Sequence, residues 1–380
     1  MPKRIITILI LTLLSASAST VLAQGPPQAQ QGQQPPKAPK AAKPGEKAPA
    51  PPVPYTYSQD QVPVEPVNVK LAKGGKVAIS SRAGQIFISG WDRDVVQASA
   101  TGDSGPVPIE TQTTGDPSRP RLLLSLSSRR SGREAKLDVK VPRYADVETL
   151  EGYRGDIQVT DVDGAALINA GTGDVRVLRV GSLKVSRRSG DINVKEVKGD
   201  LIARSFSGDV IVDNVTGLVD VAATNGDLRI QNTGADVHAN SATGDIDIRC
   251  AKGRADVSSA SGSINLIGIG GEVDASTASA DVTFRGIIRT GGSYRLKSLS
   301  GNVSMTIQPD VQGFTATLTT YSGEINTDFP LKVESPVQGA PLNRRLIGTF
   351  GNGQTKLALD SFSGTVRLAK GTAAMLKECK

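Results

Sequence analysis

Along most of the chain, apolar and polar residues alternate with a period of two, the signature of strands with one buried face. The alternation is itself repeated. A small polar residue, Gly, usually Asp and then an aliphatic recur as RGDI at Gly155, TGDV at Gly173, SGDI at Gly190, SGDV at Gly208, NGDL at Gly226, TGDI at Gly244 and SGSI at Gly262. SADV follows, with Ala280 in place of the glycine, and the seven successive spacings are 18, 17, 18, 18, 18, 18 and 18 residues. Weaker copies stand at Gly84, Gly301, Gly323 and Gly364, at longer and less regular intervals.

Two and four residues after each glycine come inward aliphatics, among them Ile157 and Val159, Ile192 and Val194, Leu228 and Ile230. A second alternating run, such as Leu201 and Ala203 or Val237 and Ala239, fills the other half of each unit behind a half-period glycine. Two short strands and two tight turns cannot close a core alone, so the units must stack. The pattern predicts an all-β, single-stranded β-solenoid (β-helix-like), with two short strands per 18-residue coil and less regular capping strands at both ends. Inward Ala223, Ser241 and Ser259 predict a thin core.

The expected domains are a leader at 1–23, a linker at 24–54, a solenoid at 55–370 and a tail at 371–380. Within the solenoid, 55–150 are N-terminal cap strands, 151–330 the regular repeats and 331–370 a C-terminal cap. Cap strands are predicted at Lys76–Ile79, Ile86–Ser89, Val95–Ala100, Leu122–Ser127, Leu137–Val141, Gln354–Leu359 and Thr365–Leu368. Residues 1–23 carry Lys3 and Arg4, an apolar run from Ile5 to Leu14 and small residues up to Ala23, the layout of a secretory signal peptide. That run is short for a bilayer span, and no membrane crossing is expected after cleavage. Residues 24–54, almost wholly Gln, Pro, Ala, Lys and Gly, offer nothing to bury. The expected location is exported, in the periplasm or at the cell surface.

The formal charge of +7 lies mainly in these ends. Lys3 and Arg4 contribute two charges and Lys37, Lys40, Lys43 and Lys47 against Glu46 a net three, which leaves +2 for residues 48–380. A nearly neutral solenoid does not call for nucleic acid. Cys250 and Cys379 are far apart in a chain bound for an oxidising compartment, so a disulfide holding the tail is one outcome and free thiols the other.

Candidate chemistry is sparse. Asp156, Asp174, Asp191, Asp209, Asp227 and Asp245 should stack along one edge, either as a calcium ladder or as turn caps. A single glycine directly before Asp does not fit the calcium repeat, and Ser263, Asn302 and Thr365 at equivalent positions favour turn capping over metal. Arg154-Gly155-Asp156 is read as the repeat preceded by Arg, and His238, the single histidine, as an outward surface residue. Trp91, Tyr144, Tyr153, Phe206, Tyr294, Tyr321 and Phe362 are read as ends of the core. No catalytic, cofactor-binding or metal-ligating residue is assigned, and no cofactor is expected.

The tandem SGDI-type units, GWDRD at Gly90–Asp94 after Gly74-Gly75, and LDVKVP at Leu137–Pro142 together resemble the bacterial putative-adhesin family of β-strand-repeat proteins, a domain of unknown function. The resemblance spans Pro66 to Leu368 and implies an envelope or surface solenoid with no catalytic residues to carry over. Ala280 and the interval between Gly323 and Gly364 depart from the pattern and put the C-terminal register in question. The expected function is a non-catalytic, adhesin-like scaffold or binding module whose partner is an envelope component, a polysaccharide or a protein surface. A polysaccharide-processing β-helix enzyme using carboxylates is the alternative, and end-to-end self-association a third, weaker expectation.

Overall fold

A computed structural model describes residues 65–81, 83–103, 105–126, 135–150, 154–333, 344–372 and 379. All of them belong to one unit, Gln61–Lys380. The leader at 1–23, the linker at 24–54, Tyr153 and most of the segments at 334–343 and 373–380 lie outside the described residues.

The described residues contain strands and no helix, as the period-two pattern predicts. Each regular coil contributes one strand to each of two parallel ribbons. In the first, Ile192–Val197 pairs with Val210–Val215, then Leu228–Thr233, Ile246–Ala251 and Ile264–Ile267 follow, each in parallel register. In the second, Leu201–Ser207, Val219–Asn225, Val237–Thr243 and Ala255–Ser259 do the same. The long strands Arg154–Thr172 and Val175–Ser189 take part in both ribbons and join them into one sheet.

Registry follows the repeat. Val194, Val212, Ile230, Ile248 and Leu266 occupy one rung position, and all are buried between the ribbons. Each such side chain contributes about 1.5–3 kcal/mol by leaving water, so stacking identical rungs stabilises the fold coil by coil. Ala280 does not disturb the register, since Ile264 still pairs with Val282.

A third inward residue per coil, seven after the glycine, escapes the simple alternation: Val162, Val180, Val197, Val215, Thr233, Ala251 and Ile269. The residue before it has left-handed backbone geometry, with φ of 59° at Asp161, 54° at Arg179, 58° at Glu196, 59° at Asn214, 55° at Asn232 and 56° at Cys250. In the next coil Gly268 takes this place with φ 66°. That single left-handed residue rotates the strand so that positions four and seven both face the core. The conformation favours Asn, Asp and Gly, and costs Arg, Glu and Cys more.

The repeat glycines are explained by close approach. A Cβ on Gly190 would lie 2.0 Å from the Gly173 carbonyl oxygen, one on Gly208 2.1 Å from that of Gly190, and one on Gly244 2.1 Å from that of Gly226. Gly190, Gly208 and Gly226 also have positive φ, whereas Gly244 and Gly262 do not. Room for the neighbouring backbone is therefore the shared requirement, and a left-handed φ is added in only some coils.

Both ends depart from serial stacking. The strands Thr355–Ser361 and Val366–Lys370 do not lie outermost. They pair on one side with Ser293–Ser298 and Val303–Ile307, and on the other with Gly313–Thr320 and Ile325–Thr327. The last coil is thus inserted between two coils that precede it in the chain. At the other end, Lys76–Ser80 and Ala83–Trp91 lie between the outer strands Arg119–Leu126 and Lys136–Pro142 and the inner strands Asp146–Thr149 and Arg154–Thr172. The irregular interval from Gly323 to Gly364 arises here, because Gly364 stacks on Gly301 and Gly323 on Gly364. Antiparallel strands finish both ends, with Val67–Lys70 on Val95–Gly102, Ile109–Asp116 on Arg119–Leu126, and Arg345–Gly351 on Gly313–Thr320.

Candidate functional site

The aspartate ladder is formed, with a different bond from the one expected. Each carboxylate accepts the backbone N–H of the equivalent residue in the next coil rather than an amide of its own turn. The Oδ1 atoms of Asp156, Asp174, Asp191, Asp209, Asp227 and Asp245 lie 2.8, 3.2, 3.0, 2.9, 3.1 and 2.8 Å from the amides of Asp174, Asp191, Asp209, Asp227, Asp245 and Ser263. Asn302 does the same for Thr365 at 2.9 Å, although 63 residues separate them. The ladder stitches consecutive coils at a corner where the ribbons stop.

Cys250 and Cys379 form a disulfide with Cα atoms 5.2 Å apart, which decides between the two outcomes left open. His238 points outward and is half-buried. Of the described aromatics read as ends of the core, only Tyr294 is buried in the full sense. Its hydroxyl accepts the Arg289 N–H at 2.9 Å, and burial pushes its pKa up. Phe206, Tyr321 and Phe362 are instead exposed, because they stand two residues before the glycine, an outward position on the second ribbon.

Tyr321 and Phe362 stack in parallel with centroids 4.8 Å apart, and the Arg344 guanidinium sits 4.6 Å from the Tyr321 centroid. Leu299 fills the same position in the adjoining coil, beyond Phe362. Within this ladder each ring covers one face of the other, and the Arg344 guanidinium covers Tyr321. The ladder is a corner clamp more than a stacking platform.

A cleft of about 880 Å³ lies at the other end of the same corner. Its lining includes Arg154, Arg187, Arg188 and Phe206, with Asn169, Thr172 and Ser186 offering polar atoms. Arg154 opens the strand Arg154–Thr172, and Arg187 and Arg188 stand near the end of Val175–Ser189. Being consecutive in a strand they project to opposite sides, so Arg187 is buried at 4 % exposure and Arg188 is exposed. Arg187 occupies the inward column where neighbouring coils have Ala170 and Ser205, and its Nε donates to the Ser189 carbonyl at 3.1 Å. Gly171 leaves a gap in the outward column that continues through Arg188 to Phe206, which is 58 % exposed. None of the described lining residues is a carboxylate.

Sequence reasoning missed this site. Its signal was a single Arg, in the one 17-residue interval, at a position that the units from Gly173 to Ala280 otherwise fill with Ala, Ser or Thr. Arg154 was weighed only as part of an RGD tripeptide, and it lies in the cleft through the pairing of its coil with the next.

Carboxylates gather elsewhere, at a smaller cleft of about 240 Å³ lined by Asp161, Asp163, Glu196, Arg143, Arg179 and Lys198 among others. Arg179 hydrogen-bonds Asp161 at 2.6 Å and Arg143 approaches it at 3.7 Å, while Lys198 holds Asp163 at 2.7 Å. The Arg179 hydrogen bond keeps the Asp161 carboxyl below its ordinary pKa. A glycosidase acid requires the opposite shift. Among the described residues no group of three or more His, Cys, Asp or Glu side chains is arranged to hold a metal ion.

No curated protein matches the chain. Among solved structures, a putative cell adhesion protein from Clostridium sporogenes aligns with 81% of this chain and 100% of its own, at 11% identity and a TM-score of 0.19. A putative adhesin from Bacteroides fragilis aligns with 80% of this chain and 95% of its own, at 12% identity and a TM-score of 0.24. The model of the Toastrack DUF4097 family matches residues 124–257 and again 250–369, which takes in the regular ladder and the inserted last coil. With its repeats, its stacked glycines and its two-ribbon core inside those matches, the chain belongs to the Toastrack DUF4097 family.

Proposed function

We propose that the chain is a non-catalytic, exported binding module of the bacterial envelope or surface, adhesin-like in role, that recognises its partner along the outward corner of the second ribbon. The observation that carries this reading is the 880 Å³ cleft, where arginines and an exposed phenylalanine converge without a carboxylate among the described lining residues. Among its described residues such a lining offers groups that bind and orient a ligand, and no carboxylate pair for cleaving one. The leader-like residues 1–23 and the Cys250–Cys379 disulfide agree with an oxidising compartment. A corner built from three successive coils holds the cleft residues on strands rather than loops, which limits the entropy lost on binding.

The alternative, a polysaccharide-processing enzyme, would draw on Asp161, Asp163 and Glu196. Asp161 and Asp163 are engaged by cations, and the Asp161 shift runs against a proton donor. Incubation of the protein with a panel of envelope and plant polysaccharides tests the two. Retention of a polymer without change in its length is the expected result, and specific shortening of any polymer would refute the non-catalytic reading.

A further inference from the structure

We infer that the last coil, strands Thr355–Ser361 and Val366–Lys370, is an exchangeable insert that also fits the slot of a second copy of this chain. The Cys250–Cys379 disulfide is the lock that keeps it in its own chain. This goes beyond the binding-module reading and does not depend on it.

The first ground is topology. The chain runs directly from the coil ending at Ile307 to the one beginning at Gly313, yet the insert lies between them. Until the insert is in place, the solenoid has a slot one coil wide, with unpaired strand edges on both walls of both ribbons. Such edges are templates for pairing. The insert fills the slot with Leu357, Leu359, Val366 and Leu368, all buried. Leu296 and Leu318 flank Leu359, and Met305 and Thr327 flank Leu368. On one wall the Thr355 and Ser361 hydroxyls donate to the Arg289 and Gly301 carbonyls at 3.0 and 2.8 Å. From the other wall the Thr320 hydroxyl donates to the Gly364 carbonyl at 2.9 Å. A second copy offers the same rungs in the same register, so exchange remakes every one of these contacts.

The second ground is how the insert is attached. Upstream it hangs on the turn Gly351–Gln354, where Gly351 and Gly353 have φ of 60° and 71°. A Cβ on Gly351 would lie 2.1 Å from the Gln312 carbonyl oxygen. A short, tight hinge favours exchange, because opening it relieves the turn while the insert keeps its pairing. Downstream, Cys379 is bonded to Cys250 on the strand Ile246–Ala251. The strands Ile264–Ile267, Val282–Gly286 and Val303–Ile307 lie between that strand and the insert. A bond that reaches back over these coils adds no rung to the insert, but it fixes which chain the insert belongs to. The seat of Cys379 is shaped for it: a Cβ on Gly268 would stand 2.3 Å from the Cys379 sulfur. With the bond closed, the chain's own insert is held at an effective concentration that a second copy does not match. Reduction by a dithiol opens the lock. The dithiol becomes a disulfide, and its two electrons and two protons convert the Cys250 and Cys379 sulfurs to thiols.

The test is a crosslink that a single chain cannot make. Ser304 on the slot wall and Arg367 on the insert are cross-strand neighbours on the outward face. Ser304→Cys and Arg367→Cys are placed in separate full-length chains, each also carrying Cys250→Ser and Cys379→Ser. The two are mixed at high concentration in low urea, diluted, and treated with a short thiol crosslinker. Peptide mapping should show the 304–367 link in a dimer, at least tenfold above the 304–304 and 367–367 links. With Cys250 and Cys379 retained and bonded in both chains, its yield should fall by tenfold or more, and dithiothreitol should restore it. One chain carrying both Ser304→Cys and Arg367→Cys should link within itself, which reports a folded chain with the insert seated. Failure of that internal link would overturn the inference, as would absence of the 304–367 link from the disulfide-free mixture. A yield within twofold with the disulfide closed would overturn the lock. Polysaccharide retention is read separately, so none of these results bears on the binding-module reading.

Discussion

Adding one methyl group at Gly244 tests whether close coil contact, and not backbone angle, is what the repeat glycine serves. Its Cβ would stand 2.1 Å from the Gly226 carbonyl oxygen and 2.6 Å from the carbonyl carbon, and its φ lies outside the left-handed range. Carbon and oxygen normally keep about 3.3 Å or more even in the closest C–H···O contacts, so the coils must separate by more than an ångström at that corner. Overpacking of this kind costs about 1–3 kcal/mol, and the obstacle is backbone held by ladders on both sides, which favours the upper end. The smaller unfolded-state entropy of Ala returns only about 0.4–1 kcal/mol. Gly291 supplies the converse control, with φ 76° and nothing within 4 Å of its Cβ, so Gly291→Ala isolates the angular cost at about 1–2 kcal/mol. Gly226 combines φ 121° with a contact of 2.3 Å and should lose more than either. Ala280 shows that one coil accommodates a methyl group, so the variants should fold. Urea unfolding of the three variants, with m-values compared to confirm the same transition, measures these losses. A Gly244→Ala stability within about 0.5 kcal/mol of the parent, alongside a clear loss in Gly291→Ala, would refute the close-approach account.

Three further outcomes are expected. Asp209→Ala removes the acceptor for the Asp227 amide and should cost about 1–3 kcal/mol in chemical unfolding, whereas Asp209→Asn keeps the oxygen, as Asn302 does, and should lose less than about 1 kcal/mol with the Arg229 ion pair. The disulfide joins residues 129 apart, so Cys379→Ser should lower stability by up to about 5 kcal/mol, and reductant should lower the melting temperature of the parent without affecting the variant. Because Arg179 holds the Asp161 pKa below its unfolded value, this pair contributes stability above about pH 4 that is lost as pH falls through the lowered pKa. Arg179→Met should therefore be less stable than the parent at pH 7, and the two acid-unfolding curves should converge below that range.

The regular coils were legible because their information is local. Alternation from Ile157 to Ile248 dictates which side chains face inward, and a one-residue slip would turn all of them outward, so the register fixes itself. The third inward position was hidden, since a left-handed residue such as Asn214 breaks the period that identifies a buried face. The function of the aspartates was half legible: Asp or Asn at this position accepts an amide, as the turn-capping reading expects of such residues, but the amide belongs to the next coil. The exposed aromatics were misplaced because a residue two before the glycine is apolar in some coils and polar in others, and only the course of the corner shows that it faces water.

What the sequence by itself determined is the coil: its length, its two strands, its inward aliphatics and the glycine at its tight corner. Tertiary structure alone decided the order of the coils at the ends, where strands 355–370 enter between coils 293–307 and 314–327. It also decided the pairing of Cys250 with Cys379 and the meeting of Arg154, Arg188 and Phe206 in one cleft. The reason is that every coil presents nearly the same backbone edge and the same aliphatic rungs to its neighbours. Local pattern therefore cannot distinguish one parallel neighbour from another, and the choice falls to the fit of whole coils and the reach of the segments that connect them.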